Sequence, residues 1–70
     1  MKIECEIDVY PQDEKYTEYC EVSVFGSVRG GYDTVSAAIK ALGGYLVRSY
    51  PGMAYSLKVA LMGDRPITRL

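Results

Sequence analysis

The sequence predicts a small α+β domain in which one helix packs on one face of an antiparallel sheet of three or four strands, in the order ββαβ(β). Three observations predict this class. Apolar and polar residues alternate over residues 2–10 and again over 54–62, which is the period of a half-buried strand. Between these segments, from Val35, apolar residues recur with the 3.6-residue period of a helix. The length of 70 residues fits a single domain, 1–70, with a small core.

The first strand is the clearest element of the sequence. The residues expected on its apolar face are Ile3, Cys5, Ile7 and Val9. The residues expected on its polar face are Lys2, Glu4, Glu6, Asp8 and Tyr10. Pro11 and the polar residues after it have the chemistry of a turn. A hairpin to a second strand over residues 16–29 is therefore expected, with Gly26 as a bulge or bend.

After a break in the chain at Gly30-Gly31-Tyr32, Asp33 or Thr34 is expected to cap the first amides of a helix that begins immediately after it, with helical spacing from Val35. Its apolar face is predicted to carry Val35, Ala38, Ile39, Leu42, Tyr45 and Leu46. Gly43 and Gly44 each weaken a helix by about 1 kcal/mol relative to alanine. Because the apolar spacing continues beyond them, the helix is expected to reach Ser49.

The last predicted strand covers residues 54–62. The side chains expected on its apolar face are Tyr55, Leu57, Val59 and Leu61, with Tyr55 and Tyr45 in the core. After a turn at 63–66, residues 67–70 are expected to add a short edge strand or to fray. The helix would cover the apolar face of the sheet and leave the other face open.

The composition argues against several kinds of chemistry. Cys5 and Cys20 are expected on the apolar face of the hairpin, where they could face each other, although free buried thiols are favoured. Two cysteines and no histidine make a zinc site improbable and leave a cysteine nucleophile without its usual base. Glu4 and Glu6 on an open face lack the burial that acid–base catalysis requires. We therefore expect a non-enzymatic protein with no cofactor and no metal.

Charge is distributed unevenly along the chain. Seven of the nine acidic residues lie within the first 28 residues. Carboxylates on one strand face recur about every 6.6–6.8 Å, which is of the order of phosphate spacing along a DNA strand. This pattern favours a partner-binding acidic face that mimics nucleic acid, although outward charges are also typical of an ordinary solvated sheet. The residues assigned to this face are Glu4, Glu6, Asp8, Tyr10, Tyr19, Glu21 and Phe25.

Two alternative functions remain open from the sequence. The basic C-terminal half could form a small nucleic-acid-binding module, although an isoelectric point near 5.2 argues against it. The cations assigned to that surface are Arg29, Lys40, Arg48, Lys58, Arg65 and Arg69. The second alternative is a homodimeric structural or assembly protein that pairs an exposed strand, with residues 54–62 as the best candidate.

The stretch from Tyr16 to Tyr50 combines a strand with Gly31-Tyr32-Asp33-Thr34-Val35-Ser36-Ala37-Ala38 at the start of a helix. It resembles the hairpin–helix part of HicB-type antitoxin domains, which implies a similar local fold. The Pro-Asp-Leu-Pro-Gly-like segment of that family has no counterpart between Val22 and Gly31. In size and composition, this small, mildly acidic, tyrosine-bearing chain also resembles phage-encoded inhibitors of the anti-CRISPR type. That resemblance assigns no role to any particular residue.

The expected location is the cytoplasm. The first six residues are acidic where a signal peptide would be basic and then apolar, and no apolar run is long enough to cross a membrane. The sequence therefore predicts an inhibitor that binds a host protein or protein complex, with no membrane partner. Nucleic acid is the less favoured partner.

Overall fold

The computed structural model describes residues 2–11 and 19–63. The described elements, in chain order, are β1 (Ile3–Val9), β2 (Cys20–Val24), β3 (Ser27–Tyr32), α1 (Val35–Ser49) and β4 (Tyr55–Leu61). The four strands form one sheet in the order β3-β2-β1-β4, with α1 on one of its faces. The predicted α+β class with one helix on a sheet is confirmed. The expected edge strand at 67–70 lies outside the described residues.

The segment predicted as one strand over residues 16–29 contains a tight hairpin. Phe25 and Gly26 both have positive φ angles, of 51° and 80°, which is the geometry of a two-residue type I′ turn. Gly26 is therefore a turn residue, and the bulge lies nearby. Val22 pairs with Gly30 while Ser23 pairs with Val28, so Arg29 is the extra residue on β3.

The expectation of a purely antiparallel sheet is wrong, because β4 runs parallel to β1. The register pairs Ile3 with Tyr55 and Val9 with Leu61. Helix α1 carries the chain over the sheet from β3 at one edge to β4 at the other, and its 15 residues supply the long crossover that parallel strands require. The sheet is therefore mixed.

The core lies between α1 and the inner face of β1 and β2. Its buried side chains are Ile3, Cys5, Ile7, Cys20, Val22, Val24, Ala38, Leu42 and Leu46. The helix begins where Thr34 Oγ1 accepts a hydrogen bond of 3.0 Å from the Ala37 N–H. It ends where the Tyr50 N–H donates to the Leu46 carbonyl oxygen. The predicted helix boundaries are confirmed.

The two cysteines are free, buried and apart from each other. Cys5 pairs with Val24, while Cys20 pairs with Val9 at the other end of the ladder. The idea that the thiols could face each other across the hairpin is therefore wrong. Burial raises the pKa of both thiols, which keeps them protonated and unreactive.

The placement of the tyrosines in the core is partly wrong. Tyr45 packs against the core cluster as expected. Tyr55 is exposed, because among the described residues α1 packs on β1, β2 and β3 and not on β4. The single described helix does not reach far enough across the sheet to cover β4.

Replacing Leu42 by alanine tests the two-layer core. Leu42 is 3% exposed at the centre of the helix–sheet contact, so Leu42→Ala should lower the free energy of unfolding by about 2–5 kcal/mol. Val47 on the same helix is 72% exposed, and Val47→Ala is the matched control, with an expected change of under about 0.5 kcal/mol. Urea denaturation of both variants measures the difference, and equal losses would contradict the packing.

Candidate functional site

The outer face of the sheet, opposite α1, gathers four carboxylates. Glu4, Glu6 and Asp8 project from β1, and Glu21 lies directly opposite Asp8 on β2. We call these four residues the acidic face. Like charges directly opposite each other on neighbouring strands destabilise a sheet. The structure thus brings together all the acidic residues that the sequence assigned to this surface.

The acidic face borders a shallow depression of about 560 Å³. Two cations also line it. Lys58 of β4 lies beside Glu6 of β1 in the sheet, and Lys2 immediately precedes β1. The sequence places Lys58 on a separate basic surface, because the parallel pairing of β4 with β1 leaves no local signal in the sequence. The face is therefore a mixed surface with an excess of carboxylates.

Asp8 is the most perturbed acid on this face. Its pKa is raised to about 6, first by burial and then by a hydrogen bond with Glu6, the charge of Glu6 and the charge of Glu21. Lys58 acts in the opposite direction. Within the described part of the chain, Asp8 Oδ1 is buried without a hydrogen-bond partner. The ionised face therefore has an unfavourable electrostatic energy at neutral pH.

Three aromatic residues assigned to the acidic face lie elsewhere. Tyr10 is buried, and its N–H donates to the Tyr19 carbonyl oxygen. Tyr19 packs against the core cluster. The Phe25 ring makes an edge contact with Tyr50, which follows the helix, at 6.3 Å between ring centroids. The strand alternation does not continue beyond Val9, which is why the pattern misplaced Tyr10.

The predicted basic surface does not form one patch. Arg29, Lys40 and Arg48 line a groove of about 430 Å³ between β3 and α1, together with Tyr32 and Tyr45. The Arg29 guanidinium carbon lies 5.2 Å from the centroid of the Tyr45 ring, within the range of a cation–π contact. We call these five residues the basic groove.

One of the three remaining cations lies away from the basic groove. Lys58 lies on the opposite side of the sheet, beside Glu6. Arg65 and Arg69 fall outside the described residues.

The described residues also bear on metals and membranes. Among residues 2–11 and 19–63, no group of three or more histidine, cysteine or acidic side chains could hold a metal ion. Over the same ranges, the single helix lacks the length and apolar character needed to span a bilayer.

No family model, curated protein or solved structure matches the chain.

Asp8 is expected to make stability depend on pH. A raised pKa means that the folded state binds the proton more tightly than the unfolded state does, so stability should fall as pH rises from the ordinary value of 3.8 through about 6. Asp8→Asn should remove this fall and be more stable than the wild type above pH 6. Urea denaturation between pH 3.5 and pH 8 measures both effects.

Glu4→Gln is the matched control for Asp8→Asn, because it removes the same charge from an exposed position on the same strand. A control with the same flattened pH profile, or an Asp8→Asn profile identical to the wild type, would show that Asp8 is not the titrating group.

Proposed function

We propose that this chain is a non-enzymatic binding protein whose acidic face attaches to a basic surface on a protein partner. The supporting observation is the concentration of Glu4, Glu6, Asp8 and Glu21 on one open face. Solvation of the sheet face alone does not require these carboxylates to lie close together. The unfavourable packing of Asp8 against Glu6 and Glu21 is relieved when cations of a partner approach.

The spacing of the acids supports a partner that handles nucleic acid. Three carboxylates on alternate residues of one strand lie about 6.6–6.8 Å apart, close to the separation of phosphates in a single strand. A groove lined with lysine and arginine for a phosphate backbone would accept such a row. Bound in that groove, the domain would exclude the nucleic acid and act as an inhibitor. An inhibitor of a host complex, encoded by a phage or mobile element and of the anti-CRISPR type, is the specific form of this proposal.

The acidic face is tested by affinity capture from host-cell lysate. Wild-type chain should retain a defined protein complex at low salt and lose it at high salt. The triple variant Glu4→Gln, Glu6→Gln and Glu21→Gln should bind about tenfold more weakly, since exposed ion pairs contribute about 0.2–1 kcal/mol each. Titration of the identified complex by biolayer interferometry measures the change.

The matched control uses an acid elsewhere in the chain. Asp33 is exposed before the helix, so Asp33→Asn should bind as tightly as the wild type, while Glu6→Gln alone should already weaken binding. If the triple variant retained the same complex with the same affinity, the acidic face would not be the binding surface.

A second candidate function is binding of single-stranded nucleic acid in the basic groove. The supporting observation is the convergence of Arg29, Lys40 and Arg48 around Tyr45, with no carboxylate among the lining residues that the structure describes. Tyrosine rings stack on bases and guanidinium groups bind phosphates, so the groove contains both kinds of contact.

Fluorescence anisotropy with a labelled short oligothymidylate tests this second function. Three phosphate contacts on a single strand predict a slope of about −2 for log K against log salt. The double variant Arg29→Gln, Arg48→Gln should bind at least about tenfold more weakly than the wild type. Lys58→Gln, on the other sheet face, is the control and should bind as the wild type does. Unchanged binding by the double variant would exclude the groove.

A further inference from the structure

Strand β4 exposes a row of large apolar side chains. The exposed fractions are 53% for Tyr55, 38% for Leu57, 49% for Val59 and 85% for Leu61. These residues share the face that α1 covers on the neighbouring strands, because each pairs with an inward-facing residue of β1. Such a row at a sheet edge is a site for association.

The apolar patch extends to the helix. Tyr45 and Arg48 lie on the flank of α1 above β3, where they line the basic groove. At 100° per residue, Ile39 lies on the other flank, toward β1 and β4, and it is 47% exposed. The patch therefore has a floor formed by β4 and one wall formed by the helix.

The outer backbone edge of β4 is the second exposed feature. The Ile3 N–H donates to the Ala54 carbonyl oxygen at 3.0 Å, and the Met62 N–H donates to the Val9 carbonyl oxygen at 2.8 Å. Backbone groups alternate in direction along a strand, so the even-numbered residues of β4 face β1. The odd-numbered residues point their N–H and C=O groups away from the sheet. Within the described residues, no strand pairs with that edge.

We propose that two copies of this chain pair through β4, antiparallel, with Leu57 of one copy opposite Leu57 of the other. A two-fold axis perpendicular to the sheet would pass between these residues. Odd-numbered residues then face odd-numbered residues, which is the arrangement in which antiparallel partners exchange both backbone hydrogen bonds. Both copies use the same surface, the outer edge of β4, as a two-fold interface requires. The described strands of the two copies would then form one continuous eight-stranded sheet.

The charge of Lys58 selects this register. An axis through residue 58 would place Lys58 opposite Lys58 of the second copy, which is destabilising. The axis at Leu57 places Lys58 opposite Ser56 of the second copy. Ser56 is small, and Glu4 lies beside it on β1 of the same copy. Each Lys58 therefore lies between its own Glu6 and Glu4 of the second copy, so the interface is complementary in charge.

The apolar row supports the same register. With the axis at Leu57, Tyr55 faces Val59 of the second copy, an aromatic–β-branched pair of the kind that stabilises sheets. Leu61 then faces Met53, which is also exposed. With the axis at Val59, Tyr55 would face Gly63 and have no apolar partner. The Leu57 register leaves no apolar residue of β4 without an apolar neighbour.

The expected dimer is a weak one. A stable interface buries about 800 Å² on each partner, more than the edge of one seven-residue strand supplies. Monomer and dimer should therefore exchange as concentration changes. The dimer does not depend on the proposed function, but it would place two acidic faces on the same side of the sheet. Their β1 strands would be three strand spacings, about 14 Å, apart.

Sedimentation equilibrium of the full chain over a wide concentration range tests the dimer. The mass should rise from 7.8 kDa toward twice that value. Leu57→Lys places two lysines opposite each other at the axis and should weaken the dimer at least about tenfold. Val47→Lys adds the same charge to the exposed face of the helix and should dimerise as the wild type does. A wild type of 7.8 kDa at every concentration would overturn the proposal.

Cross-linking tests the register independently of any loss of folding. Paired Leu57 residues would have Cα atoms about 5.5 Å apart, within the range of a disulfide. Leu57→Cys should therefore form an intermolecular disulfide under mild oxidation, while the native thiols, both buried, do not react. Val59→Cys is the control, since Val59 faces Tyr55 in this register. Cross-linking through Val59 and not Leu57, or through neither, would overturn the proposed pairing.

Discussion

Strand β1 is hydrogen-bonded along both of its edges, antiparallel to β2 and parallel to β4, while its apolar face lies under the helix. Ile3 and Ile7 on that face are completely buried, which ties the strand to the only helix of the described chain. Every other described element contacts β1 or packs on a strand that does. The core, the crossover of the helix and the open edge of β4 all follow from its central position.

The same strand determines the chemistry of the outer face. Alternation obliges the side chains between the buried residues to point away from the core, and in β1 those side chains are Glu4, Glu6 and Asp8. Sheet pairing then adds Glu21 on one side and Lys58 on the other. An inner strand of the sheet therefore carries three of the four carboxylates of the acidic face, and burial together with the neighbouring acids raises the pKa of Asp8 among them.

The sequence predicted the elements whose signal is local. The alternation of β1, the period of α1 and the Thr34 cap are each contained within a few residues, and the structure has them in the expected places. The four acids of the acidic face were also predicted, because β1 and β2 alternate regularly where those residues lie.

The features that were missed depend on contacts between distant segments. A positive φ is uncommon for a residue other than glycine, so the sequence did not indicate a turn at Phe25. The β2–β3 hairpin was therefore predicted as one strand. Parallel pairing of β4 with β1 has no local signature, and it determines both the position of Lys58 and the exposure of Tyr55. Tyr10 was misplaced because the strand ended one residue earlier than its pattern.

Amide hydrogen exchange along β4, measured by NMR at two protein concentrations, tests most directly that β4 is an edge strand whose even-numbered residues face β1. Slow exchange is expected at Ser56, Lys58, Ala60 and Met62 at both concentrations, because their N–H groups face β1. The N–H groups of Tyr55, Leu57 and Val59 should exchange rapidly when dilute and slowly when concentrated. Rapid exchange at the even-numbered positions, or equal protection of both sets in dilute solution, would contradict it.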